Sequence, residues 1–219
     1  MSNDKDDALN SQYWDEFYKQ NHGHLPSQFC VSVLSDTDPA NGIVELGSGN
    51  GRDAHYFASQ GRITTAMDIS EQAVISCETY AAEAKIRHSS FLRGDITNSI
   101  DLSALVRTAR AALANRAVTF YSRFVMHALN DEQEQRLLRL LPEHVKSGEQ
   151  VFFEFRAKED AALKKTFGGH YRRFIDTDTF VAQLTDELGF KLDYRVTGCG
   201  MAKYKDEDPV VSRVVVCKR

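Results

Sequence analysis

The run Glu45-Leu46-Gly47-Ser48-Gly49-Asn50-Gly51-Arg52-Asp53 sets an acid ahead of three alternating glycines, and Asp68 follows some distance beyond them. Ile43 to Leu46 reads as a short buried strand, the glycines permit a tight turn with close backbone approach to a ligand, and Asp53 to Ser59 can continue as a helix. A second strand, Ile63 to Met67, puts Asp68 where a carboxylate can accept both hydroxyl protons of a ribose. A nucleotide site is therefore expected. A dinucleotide site rests its pyrophosphate on the helix N-terminus, and a carboxylate ahead of the glycines would repel phosphate. Glu45 stands there, so the ligand to expect is cationic.

An acid at this point suits an ammonium and a sulfonium. The spacing Glu45-x-Gly47-x-Gly49-x-Gly51 resembles motif I of class I S-adenosylmethionine-dependent methyltransferases. The resemblance, which covers roughly residues 12 to 219, implies an α/β fold with a Rossmann-like, doubly wound, seven-stranded mixed sheet. It also implies S-adenosyl-L-methionine as cofactor and S-adenosyl-L-homocysteine as product. Gly47, Gly49 and Gly51 should pass beneath the methionine part, Asp68 should hold the ribose with Ile69 beside it, and Asp95 and Ile96 should meet the adenine. Ser122 completes the expected cofactor set. Arg52 and Asp53 either orient the cofactor or are only first-turn helix charges. Tyr18, Gln28 and Phe29 either form a lid or pack N-terminal helices onto the sheet.

The elements that must position these residues alternate without repeats or low-complexity linkers, as a doubly wound sheet requires. An aromatic helix begins at Tyr13, and a second runs from Pro26 to Leu34 with Pro26 at an N1-like position. Ser70 caps a helix showing Val74, Cys77, Ala81 and Ala84 on one side. Strands are expected at Phe91 to Asp95, Val118 to Tyr121 and Val151 to Phe155, with a helix from about Asp101 to Ala114. Asp131 with Glu134 reads as a capping box, and Pro142 should end or kink the helix that follows. A helix from Thr177 to Leu188 stops at Gly189, and strands at Phe190 to Val196 and Val210 to Cys217 close an antiparallel hairpin. The chain reads as one domain, 1–219, with a helical lid over 1–36, a core over 37–219 and a substrate-binding insertion near 157–176.

Basic residues cluster in the connections that face the carboxyl ends of the strands. Arg123 and His127 follow strand four, Arg156 ends strand five, Gly168 to Phe174 contains His170, Tyr171, Arg172 and Arg173, and the last loop carries Lys203 and Lys205. Any one of them is more often a solvated surface charge, but their convergence on one rim suits an anionic acceptor. Internal pairs are also available: Arg156 with Glu154 or Glu159, Lys205 with Asp206 or Glu207, and Arg213 with Asp208.

The set Ser122 to Ala128, Glu154-Phe155-Arg156, His170 to Phe174, Lys203-Tyr204 and Asp208 to Arg213 resembles two related groups. One caps bacterial polysaccharide phosphates. The other comprises small phosphonate O-methyltransferases of phosphonate antibiotic biosynthesis, such as that of the dehydrophos pathway. The resemblance implies methyl transfer to a phosphonate or phosphate oxygen of a small anionic metabolite. Arg123, His127 and His170 would be catalytic, with Arg156, Tyr171, Arg172, Arg173, Lys203 and Lys205 binding substrate. The alternatives are a carboxylate or sugar-hydroxyl methyltransferase, in which His127 becomes an essential base, and a nicotinamide oxidoreductase or idle cofactor-binding module, against which Glu45 speaks.

A chain of 219 residues with 42% hydrophobic and 26% charged residues can bury a substantial core. Its net charge of −4 gives no global attraction to nucleic acid or anionic lipid. The acidic start, Ser2 to Asp7, has no apolar stretch behind it, and no run reaches membrane-spanning length, so a cytoplasmic location is expected. Cys30, Cys77, Cys199 and Cys217 lack metal-site spacing and read as reduced thiols. The rim acids Asp95 and Glu154 are too few for an oxygen cage around a metal, so no metal is expected. Composition leaves the oligomeric state open.

Overall fold

A computed structural model describes residues 13–16, 18, 23–114, 116–163, 165 and 171–219. Seven strands form one sheet: β1 (Gly42–Leu46), β2 (Thr64–Asp68), β3 (Ser89–Arg93), β4 (Val118–Arg123), β5 (Gln150–Arg156), β6 (Phe190–Gly198) and β7 (Val211–Lys218). Their spatial order is β3-β2-β1-β4-β5-β7-β6, parallel except for β7, which lies antiparallel to β5 and β6. The order reverses between β1 and β4, which is where a doubly wound sheet opens a crevice at its carboxyl ends.

Strand alternation divides the side chains between two helical layers. Val44, Leu46, Phe120, Phe153, Phe155, Val214 and Val216 point into a core shared with α4 (Ser99–Leu113), α5 (Asp131–His144) and α6 (Thr177–Ala182). Ile43, Tyr121, Phe152 and Val215 point the other way, onto Phe29, Cys30 and Val33 of α1 (Gln28–Asp36) and Phe57 of α2 (Arg52–Ser59). A further helix, α3 (Glu71–Glu83), starts from the Ser70 cap, whose Oγ accepts from the Ala73 amide. Residues 13–16 and 18 are helical. Among the described residues, no helix is long and apolar enough to cross a membrane.

Several expected boundaries move by a residue or two. Helix α1 is capped by Ser27, so Pro26 stands outside it rather than at N1. The third strand ends at Arg93, and Asp95 lies beyond it in the loop. The capping box on α5 is Asn130 with Gln133, not Asp131 with Glu134, because Asn130 is the residue whose side chain reaches the third amide. Helix α5 continues through Pro142 to His144, so the proline does not stop it at the preceding residue. The helix expected to reach Leu188 is α-helical only to Ala182 and then widens into a π-turn, Gln183–Glu187, before Gly189 at φ +72°.

Glu149 fastens the switch between layers. Its carboxylate accepts from Arg110 at 2.8 and 2.7 Å and from the Val118 and Lys146 amides, both at 2.9 Å. Burial alone would raise its pKa, but these donors hold the carboxyl below its ordinary value of 4.5. The stabilisation is therefore complete above that value and lost as pH falls through the depressed one. Glu149→Gln should cost roughly 1.5–3 kcal/mol at neutral pH, and urea unfolding should show the difference from wild type closing as the solution is taken below the glutamate range.

Candidate active site

A cavity of about 630 Å³ opens above the carboxyl ends of β1, β2 and β4. Its floor is the turn after β1. Gly47, Gly49 and Gly51 adopt φ of +78°, +54° and +71°, a conformation that favours glycine. A Cβ on Gly47 would collide with Val125, and one on Gly49 would meet the Tyr18 hydroxyl at 2.5 Å. Asp68 holds this floor from below: its carboxylate accepts from the Gly49 amide at 2.7 Å and the Ser70 amide at 3.0 Å. Both oxygens are thus oriented before any ligand arrives.

Glu45, 3% exposed, points from β1 into the cavity floor with Oε2 buried and without a hydrogen-bond partner. Burial, with Asp53 and Asp68 nearby, pushes its carboxyl well above the usual range. Such a group calls for a positive partner, and the ammonium of S-adenosylmethionine would supply one. The residues present fit that cofactor: Glu45 and the glycine turn can take its amino-acid end, Asp68 and Ile69 its ribose, and Asp95 and Ile96 its base. All of these except Gly51 line the cavity, as does Arg52. Gly51 instead turns behind the loop, where a Cβ would meet Cys77 Sγ and His55 Cε1, both at 2.7 Å. Its glycine serves packing rather than contact.

The lid expectation divides. Tyr18 and Gln28 line the cavity, and Tyr18 stacks with Trp14 at 5.8 Å. Phe29 does not line it; it is 2% exposed and stacks on Tyr121 at 5.2 Å in the core under α1. The helical repeat puts Gln28 on the cavity side and its neighbour Phe29 toward the sheet. Asp53, also on the lining, uses its carboxylate to hold this helix down. It accepts from the Ser27 amide at 2.7 Å, the Ser27 hydroxyl at 2.8 Å and the Tyr121 hydroxyl at 2.7 Å. Ser122 is another correction. It follows Tyr121 on β4, so its side chain faces the opposite layer, buried and outside the cavity lining.

The opposite wall carries the cations. Arg123 donates from Nε to Glu154 at 2.7 Å, and Arg213 donates to the other Glu154 oxygen at 2.8 Å. Among the described residues, the two Nη groups of Arg123 have no acceptor, and its guanidinium lies 4.1 Å from the Phe124 ring centre. Arg156 pairs with Asp160 at 2.7 Å and Glu207 at 2.6 Å, not with Glu154 or Glu159. Arg172 lines the cavity, as does Lys203, which is largely exposed beside Asp208.

Three expected substrate residues lie elsewhere. Arg173 turns to the start of α5, where it pairs with Asp131 and, at 2.5 Å, with Glu134. Lys205 packs over the Tyr204 ring at 5.3 Å, and Tyr171 is 52% exposed; neither lines the cavity. Arg213 takes Glu154 instead of Asp208. His170 lies outside the described residues.

His127 lines the cavity, but its Nδ1 accepts from the Arg156 amide at 3.2 Å. A backbone N–H can only donate, so this lone pair is occupied and the neutral ring carries its proton on Nε2. In that state neither ring nitrogen can take a proton from an acceptor. His127 is placed as a donor rather than a base. Phe124, Glu207 and Met201 join the lining without having been expected from sequence. Phe124 alone left a structural signal, a φ of +61° that bulky residues seldom adopt. Among the described residues, no group of three or more His, Cys, Asp or Glu could hold a metal ion.

Residues 44–139 match the family model of a methyltransferase domain. No curated protein sequence matches the chain. A SAM-dependent methyltransferase from Anabaena variabilis ATCC 29413 superposes with a TM-score of 0.69, covering 95% of this chain and 93% of its own at 16% identity. The glycopeptide N-methyltransferase MtfA complexed with S-adenosyl-L-methionine gives 0.66 over 89% and 95%, at 18% identity. A structure described with conversion of a disulfide bond into a thioacetal group during echinomycin biosynthesis gives 0.71 over 95% and 91%, at 11% identity. Likeness at these identities is one of fold. The domain matched over residues 44–139 and the class I sheet together support S-adenosylmethionine-dependent methyl transfer. The described chemistries of these neighbours differ, so the acceptor must be argued from this chain's own cavity wall.

Two variants separate the roles of Glu45 and His127. Because Glu45 has a raised folded pKa, the carboxyl's contribution to stability is present at low pH and lost as pH rises through that value. Glu45→Gln should therefore raise the thermal midpoint of the cofactor-free protein by about 2–4 °C at neutral pH, while weakening S-adenosylhomocysteine binding at least tenfold by calorimetry. His127→Asn keeps an oxygen to accept from Arg156. It should lower kcat by less than about tenfold, whereas loss of a general base costs about 10²–10⁴-fold.

Proposed function

We propose that this methyltransferase acts on an oxygen of a small phosphonate or phosphate. The observation that carries the reading is Arg123: a guanidinium on the cavity wall whose Nε is committed to Glu154 and whose Nη fork is left for a ligand. Glu154 is shared by two arginines, so this group retains a net positive charge. A planar fork matches two oxygens of a tetrahedral anion and fixes their orientation.

When bound, S-adenosylmethionine supplies an electrophilic methyl on a sulfonium. The acceptor oxygen forms a bond to that carbon as the carbon–sulfur bond breaks, leaving a thioether and a methyl ester. No proton moves if the acceptor is already an anion, which agrees with a His127 whose lone pair is engaged. Arg123 does most by gripping the oxygens that do not react. A cation on the attacking oxygen would stabilise the reactant more than the transition state, since that oxygen loses charge during transfer. The work left to the protein is alignment, which can supply about 7–11 kcal/mol, and exclusion of water as opposite charges are consumed. Trp14, Tyr18 and Gln28 are placed to provide that cover, consistent with a lid role for the N-terminal segment.

Incubation with methyl-labelled cofactor and a panel of phosphonates, phosphate monoesters, carboxylates and sugars should transfer label to the tetrahedral anions. Label on carboxylates or hydroxyls alone would remove this reading. Arg123→Lys should raise the acceptor KM at least about tenfold, because an ammonium cannot reproduce the fork, and should leave S-adenosylhomocysteine affinity within about twofold.

A further inference from the structure

Glu207 sits on the turn Tyr204 to Glu207, closed by mutual backbone bonds of 2.9 and 3.0 Å and carrying Lys205 at φ +53°. From there its carboxylate reaches into the cavity and meets Arg156 Nη1 at 2.6 Å. That contact is not needed to neutralise Arg156. Asp160, fully buried, already pairs with the same nitrogen at 2.7 Å, and Asp160 is itself fixed by the Val210 amide at 3.0 Å and Lys165 at 3.1 Å. Arg172 belongs to the same neighbourhood. Burial and Arg156 lower its pKa, while Glu207 and Asp160 pull it back. Glu207 thus places an anionic oxygen pair among guanidinium groups, on the cavity wall that also carries Arg123.

We infer that Glu207 is a specificity-determining residue that occupies part of the acceptor's anion site and must yield it, so that only a strongly charged tetrahedral anion displaces it while a monoanionic carboxylate does not. This rests on the anionic-acceptor reading above. The chemistry is competition between like groups. A carboxylate from solution gains nothing over one already tethered beside Arg156, whereas a dianionic phosphonate or phosphate offers more charge and a third oxygen. Displacement is also feasible, since Arg156 keeps Asp160 when Glu207 leaves. The turn that must move is short, exposed at Tyr204 and Lys205, and contributes Tyr204 and Glu207 to the cavity lining.

The test uses the full chain loaded with S-adenosylhomocysteine, titrated calorimetrically with inorganic phosphate and with acetate. Wild type should bind phosphate and not acetate. Glu207→Gln should bind phosphate about tenfold more tightly and gain measurable acetate binding. As a second readout that does not depend on the variant folding, phosphate should increase hydrogen exchange at the Tyr204 and Glu207 amides of the wild type. Unchanged or weaker phosphate binding by Glu207→Gln, or no change in wild-type exchange on phosphate binding, would overturn the role of Glu207 alone. If neither protein binds phosphate and label passes only to uncharged acceptors, the anionic-acceptor reading fails and takes this inference with it.

Discussion

The cationic wall of the cavity depends on one buried carboxylate held between two guanidinium groups. Register places them: Arg123 on β4 lies opposite Glu154 on β5, and Glu154 lies opposite Arg213 on β7. All three are spaced by even steps from residues facing α1, so they project to the same side of the sheet. Sliding any of these strands by one residue would send its charge into the apolar layer under α4 and α5. Replacing Glu154 with an uncharged residue would leave two buried cations facing each other. A buried ionic row of this kind is weak evidence for stability, because desolvation offsets the attraction. Its value lies in placement: Glu154 takes one nitrogen of Arg123 and thereby aims the remaining two.

Across the cavity the polarity inverts. Glu45, Asp53 and Asp68 converge beneath the glycine turn, and the solutions differ for each. Asp68 is satisfied by the backbone amides of Gly49 and Ser70, Asp53 by Ser27 and Tyr121, and Glu45 keeps an oxygen in reserve. The first two carboxylates build the site; the third awaits a ligand charge. On the proposed reading, a cationic donor over this floor and an anion against Arg123 would be brought together, and their attraction would strengthen as water is excluded. Transfer would then remove both charges, which closure of the site to water would favour.

How much of this could be read beforehand followed the range of the interactions involved. The glycine turn and the succession of strands and helices rest on local patterns, namely glycines needing positive φ and apolar runs of strand length, and these were legible; the seven-stranded mixed sheet followed from the resemblance. Ser122 and Arg123 were also separable in principle, because adjacent strand residues face opposite layers and only one of them can line the cavity. Partners of the arginines were not legible. Glu207 meets Arg156, and Glu134 meets Arg173, across stretches of chain whose relative placement only the folded sheet decides. Nearby acids such as Glu154 and Glu159 looked suitable for Arg156 in sequence, and geometry passed over them. Phe29 misled for a similar reason: an aromatic beside a pocket residue is one helical step away from it, and one step is enough to turn it into the core.

Phe124 shows why the last part of the site could not be inferred from residue types. Nothing in its sequence context marks it for a left-handed backbone, a conformation that costs a bulky residue on the order of 1–2 kcal/mol. The fold sustains it because its amide is held by the Glu154 carbonyl at 2.8 Å, and its ring is packed edge-on to His127 at 5.0 Å. The same ring faces Arg123 at 4.1 Å and Arg156 at 5.5 Å. The ring thus lies within cation–π reach of both guanidinium groups. Relaxing the backbone to an ordinary strand conformation would swing the ring away from these partners. The strained residue therefore holds one ring against two arginines that their carboxylates set apart: Glu154 takes only Nε of Arg123, whereas Asp160 and Glu207 both take Nη1 of Arg156.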